Sequence, residues 1–244
     1  MRDTLLDLTQ ASVGGSLPAK VVDRQAEALA TAERDLGAQL DTHEPSAALQ
    51  QRLQALAEEG GTPPPEHLAA AIAQGRELLT RISNQSNLIL DPALDSYYTM
   101  SLCLLRYPEV AELVAALGPH LESARTTRRA AIADDRTRYL LLEGRFDALS
   151  EALRQDLDEA VAAGGPALAE ALQTNHDTLR LQMDQMRGAV RAVVDGAVDT
   201  ASLERAQASR QQALGALRKA WGGSQQALEG LLRARIGHLF ERMW

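Results

Sequence analysis

The sequence predicts an all-α protein, and three observations carry the prediction. Hydrophobic residues make up 45% of the 244-residue chain but aromatics only 3%, so the apolar content is mostly Ala, Leu and Val. Ala and Leu, with the abundant Gln, Glu and Arg, are strong helix formers, and no stretch alternates β-branched or aromatic residues with polar ones as a half-buried strand does. Apolar positions instead recur at spacings of three and four. They do so most regularly through Leu172, His176, Leu179, Met183, Met186, Val190 and Val193, a seam that turns one helix face toward a partner helix.

Taken in order, residues 1–12 carry Leu5, Leu6 and Leu8 and read as a short helix that stops at Val13-Gly14-Gly15-Ser16. Ser16 as a cap and Pro18 near the first turn predict a second helix over about residues 17–40. Thr42-His43-Glu44-Pro45 breaks it, a shorter helix covers about 46–59, and Gly60-Gly61-Thr62-Pro63-Pro64-Pro65 is the clearest loop. A helix over about 66–87 places Leu68, Ile72, Leu78, Leu79 and Ile82 on one face. Asp91-Pro92 is a start signal, a side-chain acceptor followed by a residue whose missing N–H costs nothing in the first turn. The helix begun there runs toward Leu117, with a kink or break expected at Pro108. Gly118-Pro119 and a polar stretch over about 125–136 read as the next connection. Three helices follow, over about 137–163, 166–194 and 201–243, separated by Gly164-Gly165-Pro166 and Asp195-Gly196. The last carries Leu214, Leu217, Trp221, Leu228, Leu231 and Leu232, with Gly222-Gly223 interrupting the rhythm, and ends amphipathic and basic. Helices of about 25–40 residues span roughly 40–60 Å. The predicted architecture is an elongated antiparallel helical bundle covering residues 1–244, either single or built as two stacked four-helix-type modules that share the long helices.

Composition excludes several functions. The formal net charge is −8, and the 25 Lys and Arg residues are spread along the helices without a concentrated basic face, which argues against a nucleic-acid binder. One cysteine forms no internal disulfide. No run of about 18 apolar residues is present to span a bilayer. The five histidines are scattered with no pair at i, i+4, so no metal set is expected, and no phosphate loop, dinucleotide fingerprint or nucleophile elbow appears. No catalytic residue, no cofactor and no enzymatic activity are therefore expected. Cys103, between leucines, reads as a small buried hydrophobe, and the pair Met183 and Met186 as core packing.

One stretch stands apart. Three of the chain's 4 tyrosines, Tyr97, Tyr98 and Tyr107, fall within residues 86–107 beside Asp91, Asp95 and Cys103. Asp91 and Asp95, one turn apart, could serve as acid and base or bind a cation, but Asp91 reads first as a helix cap; Asp95, an anion favoured in the first turn, stays open between that role and a functional one. If the chain reverses between about Leu88 and Asp91, equal steps from the turn bring Arg81 level with Tyr97 and Tyr98, with Ser83, Asn84 and Asn87 on the same approach. Arg81, Asn84, Asn87, Asp95, Tyr97 and Tyr98 are the candidate ligand-binding residues, a guanidinium, phenols and amides suited to a small polar or carboxylate compound. The alternative is a polar clasp that fixes the hairpin.

The run Ser86-Asn87-Leu88, Leu90-Asp91-Pro92, Asp95-Ser96-Tyr97-Tyr98 resembles a signature in the extracytoplasmic helical sensor regions of bacterial methyl-accepting chemotaxis proteins and some sensor histidine kinases. Leu105-Arg106-Tyr107-Pro108-Glu109-Val110-Ala111 is similar to the usual continuation, as is the end of the chain, residues 228–242. The pattern's Leu-Met-Asp after the second tyrosine is replaced by Thr99-Met100-Ser101, which lacks the acidic position. The resemblance implies a periplasmic sensing domain anchored by flanking membrane helices outside this chain, working as a homodimer and passing a small helix displacement to a cytoplasmic module. The rival expectation is a structural or protein-interaction bundle without a small-molecule ligand.

Overall fold

The computed structural model describes residues 1–86, 92–127, 133–196 and 198–241, and among these there are helices and short connections but no strand. Helices α1 (Arg2–Gly14), α2 (Ala19–Leu40), α3 (His43–Glu59) and α4 (Pro65–Gln85) come first. Next is a continuous rod made of α5 (Leu94–Ser101), one π turn (Leu102–Arg106) and α6 (Tyr107–Ala116). Helix α7 (Gly118–Thr127) follows, then α8 (Ala133–Val194) and α9 (Thr200–Glu241). α8 is two arms, 133–164 and 166–194, folded at Gly165, whose φ of 71° and ψ of −164° are not helical. Glycine takes a positive φ without strain, and Pro166 suits the first turn of the second arm, so Gly164-Gly165-Pro166 makes the turn its composition signals.

The helices share one connected apolar core. α1 runs antiparallel to α9 along a ladder of polar rungs. Arg2 donates to Gln225 at 3.0 Å, Arg218 pairs with Asp7 at 3.7 Å, and Arg210 donates to the Ser12 carbonyl at 3.4 Å. The second arm of α8 also runs antiparallel to α9, and every seam residue from Leu172 to Val193 is buried between them and the rest of the core. The α5–α6 rod lies across both, with Ser101 and Arg106 on Asp156 of the first arm and Tyr107 reaching the second arm and α9. The α2–α3 hairpin covers α1 and α4, tied to α1 where Arg24 and Gln25 donate to Asp7 at 3.1 and 2.7 Å. One end of the bundle thus holds the end of α4, the start of α5, the Gly165 turn and the last described turns of α9. The opposite end holds the ends of α1 and α6, the α3–α4 loop and the start of α9.

Several boundaries differ from the expected ones for local reasons. α2 starts at Ala19 with Pro18, not Ser16, as its N-cap, because the Pro18 carbonyl takes the Val21 and Val22 amides. α3 starts at His43, since Pro45 falls in its first turn and needs no donor there. α5 starts at Leu94 with Ala93 as N-cap, which leaves Pro92 before the helix; Asp91 lies outside the described residues. Gly118-Pro119 opens α7 instead of forming a connection, proline again occupying a first turn. Gly222-Gly223 does not interrupt α9. A Cβ on Gly223 would stand 3.2 Å from Asn175 Nδ2 and 3.7 Å from the Ala171 carbonyl, so the missing side chain sets how closely α9 approaches the second arm of α8.

Pro108 does not break the helix. The π turn just before it widens the helix, and the Tyr107 amide bonds the Leu102 carbonyl, five residues back. A proline at 108 has no N–H and crowds the carbonyl four residues back. The extra residue in the π turn removes that conflict and keeps the rod continuous.

Candidate functional site

The π turn rotates Tyr107 into the centre of the bundle, where it is 0% exposed. Its hydroxyl contacts His176 Nε2 and lies 2.8 Å from Ser224 Oγ, and its ring lies 5.9 Å from that of Trp221, centroid to centroid. Burial holds the His176 imidazole down to about 4, with Asp177 and Asp156 pulling the other way. The neutral imidazole, the phenol and the Ser224 hydroxyl form one buried hydrogen-bonded chain. Burial also drives the Tyr107 phenol well above its usual range and pushes the Cys103 thiol up to about 12. Both are inert at neutral pH. The centre joins three elements through satisfied hydrogen bonds and offers no nucleophile or base.

The predicted ligand residues do not converge. Asp95 and Ser96 turn toward α9, where Arg235 Nη2 donates to Ser96 Oγ at 2.8 Å and lies 3.3 Å from Asp95 Oδ1. Ser96 in turn donates to the Ala93 carbonyl at 3.2 Å. Tyr97 and Tyr98 make an edge-to-face pair with centroids 5.1 Å apart and lean on the core. Arg81 is elsewhere, donating from Nε to the Asp41 carbonyl at 3.0 Å and pairing with the Asp41 carboxylate at the end of α2. Asn84 is exposed, and Asn87 lies outside the described residues. The register explains the difference. Ser83 meets Met100 Sδ at 3.7 Å and Arg76 pairs with Glu112, so Arg81 is level with about Leu102, a full turn deeper than Tyr97 and Tyr98. Both pairs are offset by several residues from equal steps about a turn at 88–91.

A space of ligand size lies at the opposite end. A cavity of about 1010 Å³ opens between the end of α1, the α3–α4 loop, α7 and the start of α9. Leu68, Leu121 and Leu203 contribute apolar wall, and Glu122, Asp199 and Glu204 contribute carboxylates. Glu122 is held low by two hydrogen bonds from Arg125, at 2.7 and 2.9 Å. Asp199 is held low by the Ser202 amide and hydroxyl in a cap at the start of α9. Arg210 forms the floor and is 2% exposed. Its Nε and Nη2 donate to the Val114 carbonyl at 3.2 and 3.0 Å, Nη2 also to Ser12, and Nη1 to Gln207 Oε1 at 3.3 Å. Val114 and Ser12 lie in the last turns of α6 and α1, whose carbonyls lack partners within their own helices. Among the described residues no carboxylate pairs with Arg210, and burial alone lowers it to about 10, so it stays charged at neutral pH.

Arg210 was legible as an anomaly. It occupies a core position on the stripe Leu203, Ala206, Arg210, Leu214, Leu217 and Trp221, where an arginine is out of place in an apolar rhythm. The tyrosine-rich motif lies at the other end of the bundle. Among the described residues no helix is long and apolar enough to cross a membrane. No family model, curated protein or solved structure matches the chain.

Proposed function

We propose that the chain is the extracytoplasmic sensing domain of a transmembrane bacterial receptor of the chemoreceptor or sensor-kinase kind, which binds a small molecule and has no enzymatic activity. The observation that carries the reading is the position of the cavity. Its walls come from the first and last helices at once, and its floor residue, Arg210, is a rung of the ladder joining α1 to α9. A ligand that binds one α1–α9 register better than another shifts the balance between them, which is all that transmission requires. At the other end, the motif residues Asp95 and Ser96 clasp Arg235 near the end of α9. The motif then acts as a clasp that holds the output end of α9, and the ligand sits elsewhere. The receptor works as a homodimer, for which the adjacent exposed Leu140 and Leu141 of α8 offer apolar surface.

A thermal-shift screen against small polar and apolar metabolites, followed by distance measurement between spin labels at Asp3→Cys and Glu229→Cys, tests the reading. Cys103 is buried and protonated, so it does not compete for label. A ligand at 100 times its Kd stabilises the fold by about 2.7 kcal/mol, and the label-to-label distance distribution shifts on binding. A stabilising ligand that leaves the distances unchanged overturns transmission. Absence of any stabilising ligand, together with stable complexes with proteins, favours the interaction-bundle reading.

A further inference from the structure

The floor, walls and rim of the cavity differ in character, and together they select a ligand. Arg210 supplies a buried positive charge. The helix-end carbonyls satisfy most of its N–H groups but carry no net charge, so the guanidinium keeps its attraction for an anion. A guanidinium has five N–H groups, and Nη1 donates to the Gln207 side chain at 3.3 Å, while Nε and Nη2 are held by backbone carbonyls. An incoming carboxylate that displaces the Gln207 carbonyl oxygen takes the Nη1 hydrogens, and rotation of the amide then turns its NH₂ toward the same anion. The walls are mostly apolar, with leucine, valine and proline side chains among them. At the rim, Arg125 neutralises Glu122, which leaves Asp199 and Glu204 as a negative collar. A second negative charge on the ligand would meet that collar.

We propose that this cavity binds a small molecule with a single carboxylate and an apolar body, the carboxylate on Arg210 and Gln207 and the body against Leu68, Leu121 and Leu203. The proposal deepens the sensing reading and rests on it. It also gives that reading a direction. An anion on Nη1 draws on the same guanidinium that holds the carbonyls of Ser12 and Val114, so occupancy acts on the contact between α1, α6 and α9.

Calorimetry and thermal shift at pH 7 with benzoate, benzamide, phthalate and inorganic phosphate as probes test it, on the wild type and on Arg210→Gln and Leu203→Trp. The expected result is that benzoate binds and raises Tm, while benzamide, phthalate and phosphate bind at least about tenfold more weakly. Each variant loses at least about tenfold in benzoate affinity, because a buried charged hydrogen bond or the space for the ring is gone. If Arg210→Gln does not fold, Leu203→Trp and Gln207→Leu carry the test, since neither touches the helix-end carbonyls. Benzamide binding as tightly as benzoate, with both lost in Leu203→Trp, overturns the carboxylate inference and leaves the sensing reading standing. Benzoate binding that neither variant weakens places the anion elsewhere and overturns the inference. No binding by any probe, with the wild type and Leu203→Trp giving the same result across the wider screen, overturns both.

Discussion

Lowering the pH from 7 to 4 should destabilise this fold through one residue. His176 is buried against Tyr107 in the centre of the bundle, and burial holds its imidazole at about 4 in the folded chain, against 6.5 for a free histidine. Between those two values the unfolded chain binds a proton that the folded chain does not, so stability rises with pH across that window. The contribution is fully present above pH 6.5 and is lost progressively as the pH falls toward 4. Its size is about 3 kcal/mol, from about 1.4 kcal/mol for each pH unit between the two values. For a chain of this length that is roughly 6–12 °C in Tm. Urea unfolding of the wild type and His176→Gln at pH 7 and pH 4 isolates it, because the carboxylates that titrate nearby are common to both chains. Glutamine keeps one acceptor for the Tyr107 hydroxyl but packs less well, so the variant should be about 1–2 kcal/mol less stable at pH 7. At pH 4 the order should reverse. A wild-type-minus-variant difference that is the same at both pH values would refute the reasoning.

Two glycine substitutions should move stability in opposite directions. Gly75→Val destabilises by about 1–3 kcal/mol, since a Cβ there meets the fully buried Leu5 Cδ2 at 2.6 Å, where α4 crosses α1. Gly215→Ala, exposed within α9 with nothing within 4 Å of the added Cβ, stabilises by about 0.5–1 kcal/mol; thermal unfolding of both reads the contrast. Asp156→Asn removes the charge that accepts from Ser101 and Arg106, each at 2.7 Å, and should lower the urea midpoint by an amount equal to about 2 kcal/mol with an unchanged m-value. Arg81→Ala breaks an exposed pair with Asp41 and should cost less than about 1 kcal/mol. It should leave carboxylate binding intact, the cavity residue Leu68 being roughly 20 Å away along α4.

The helical class, most of the helix order and the core seams were decided by local chemistry that sequence carries openly. Helix-forming composition, spacings of three and four, and paired glycines and prolines act within a few residues, so Leu172 to Val193 and Gly164-Gly165-Pro166 could be read directly. The clasp and the cavity were not legible in the same way. Whether Arg81 faces Tyr97 or Asp41 depends on the cross-hairpin register, and an offset of about four residues moves it by a full turn. Whether Pro108 kinks the rod depends on a π turn that the sequence does not announce. Arg210 illustrates the division best. Its place in an apolar stripe is exceptional, but only the meeting of two helix ends, from segments some hundred and two hundred residues away in the chain, shows what its guanidinium holds and what space it faces. Local propensity acts over a turn or two of helix, whereas a binding site is a property of distant segments brought together, and tertiary packing alone determines which segments those are.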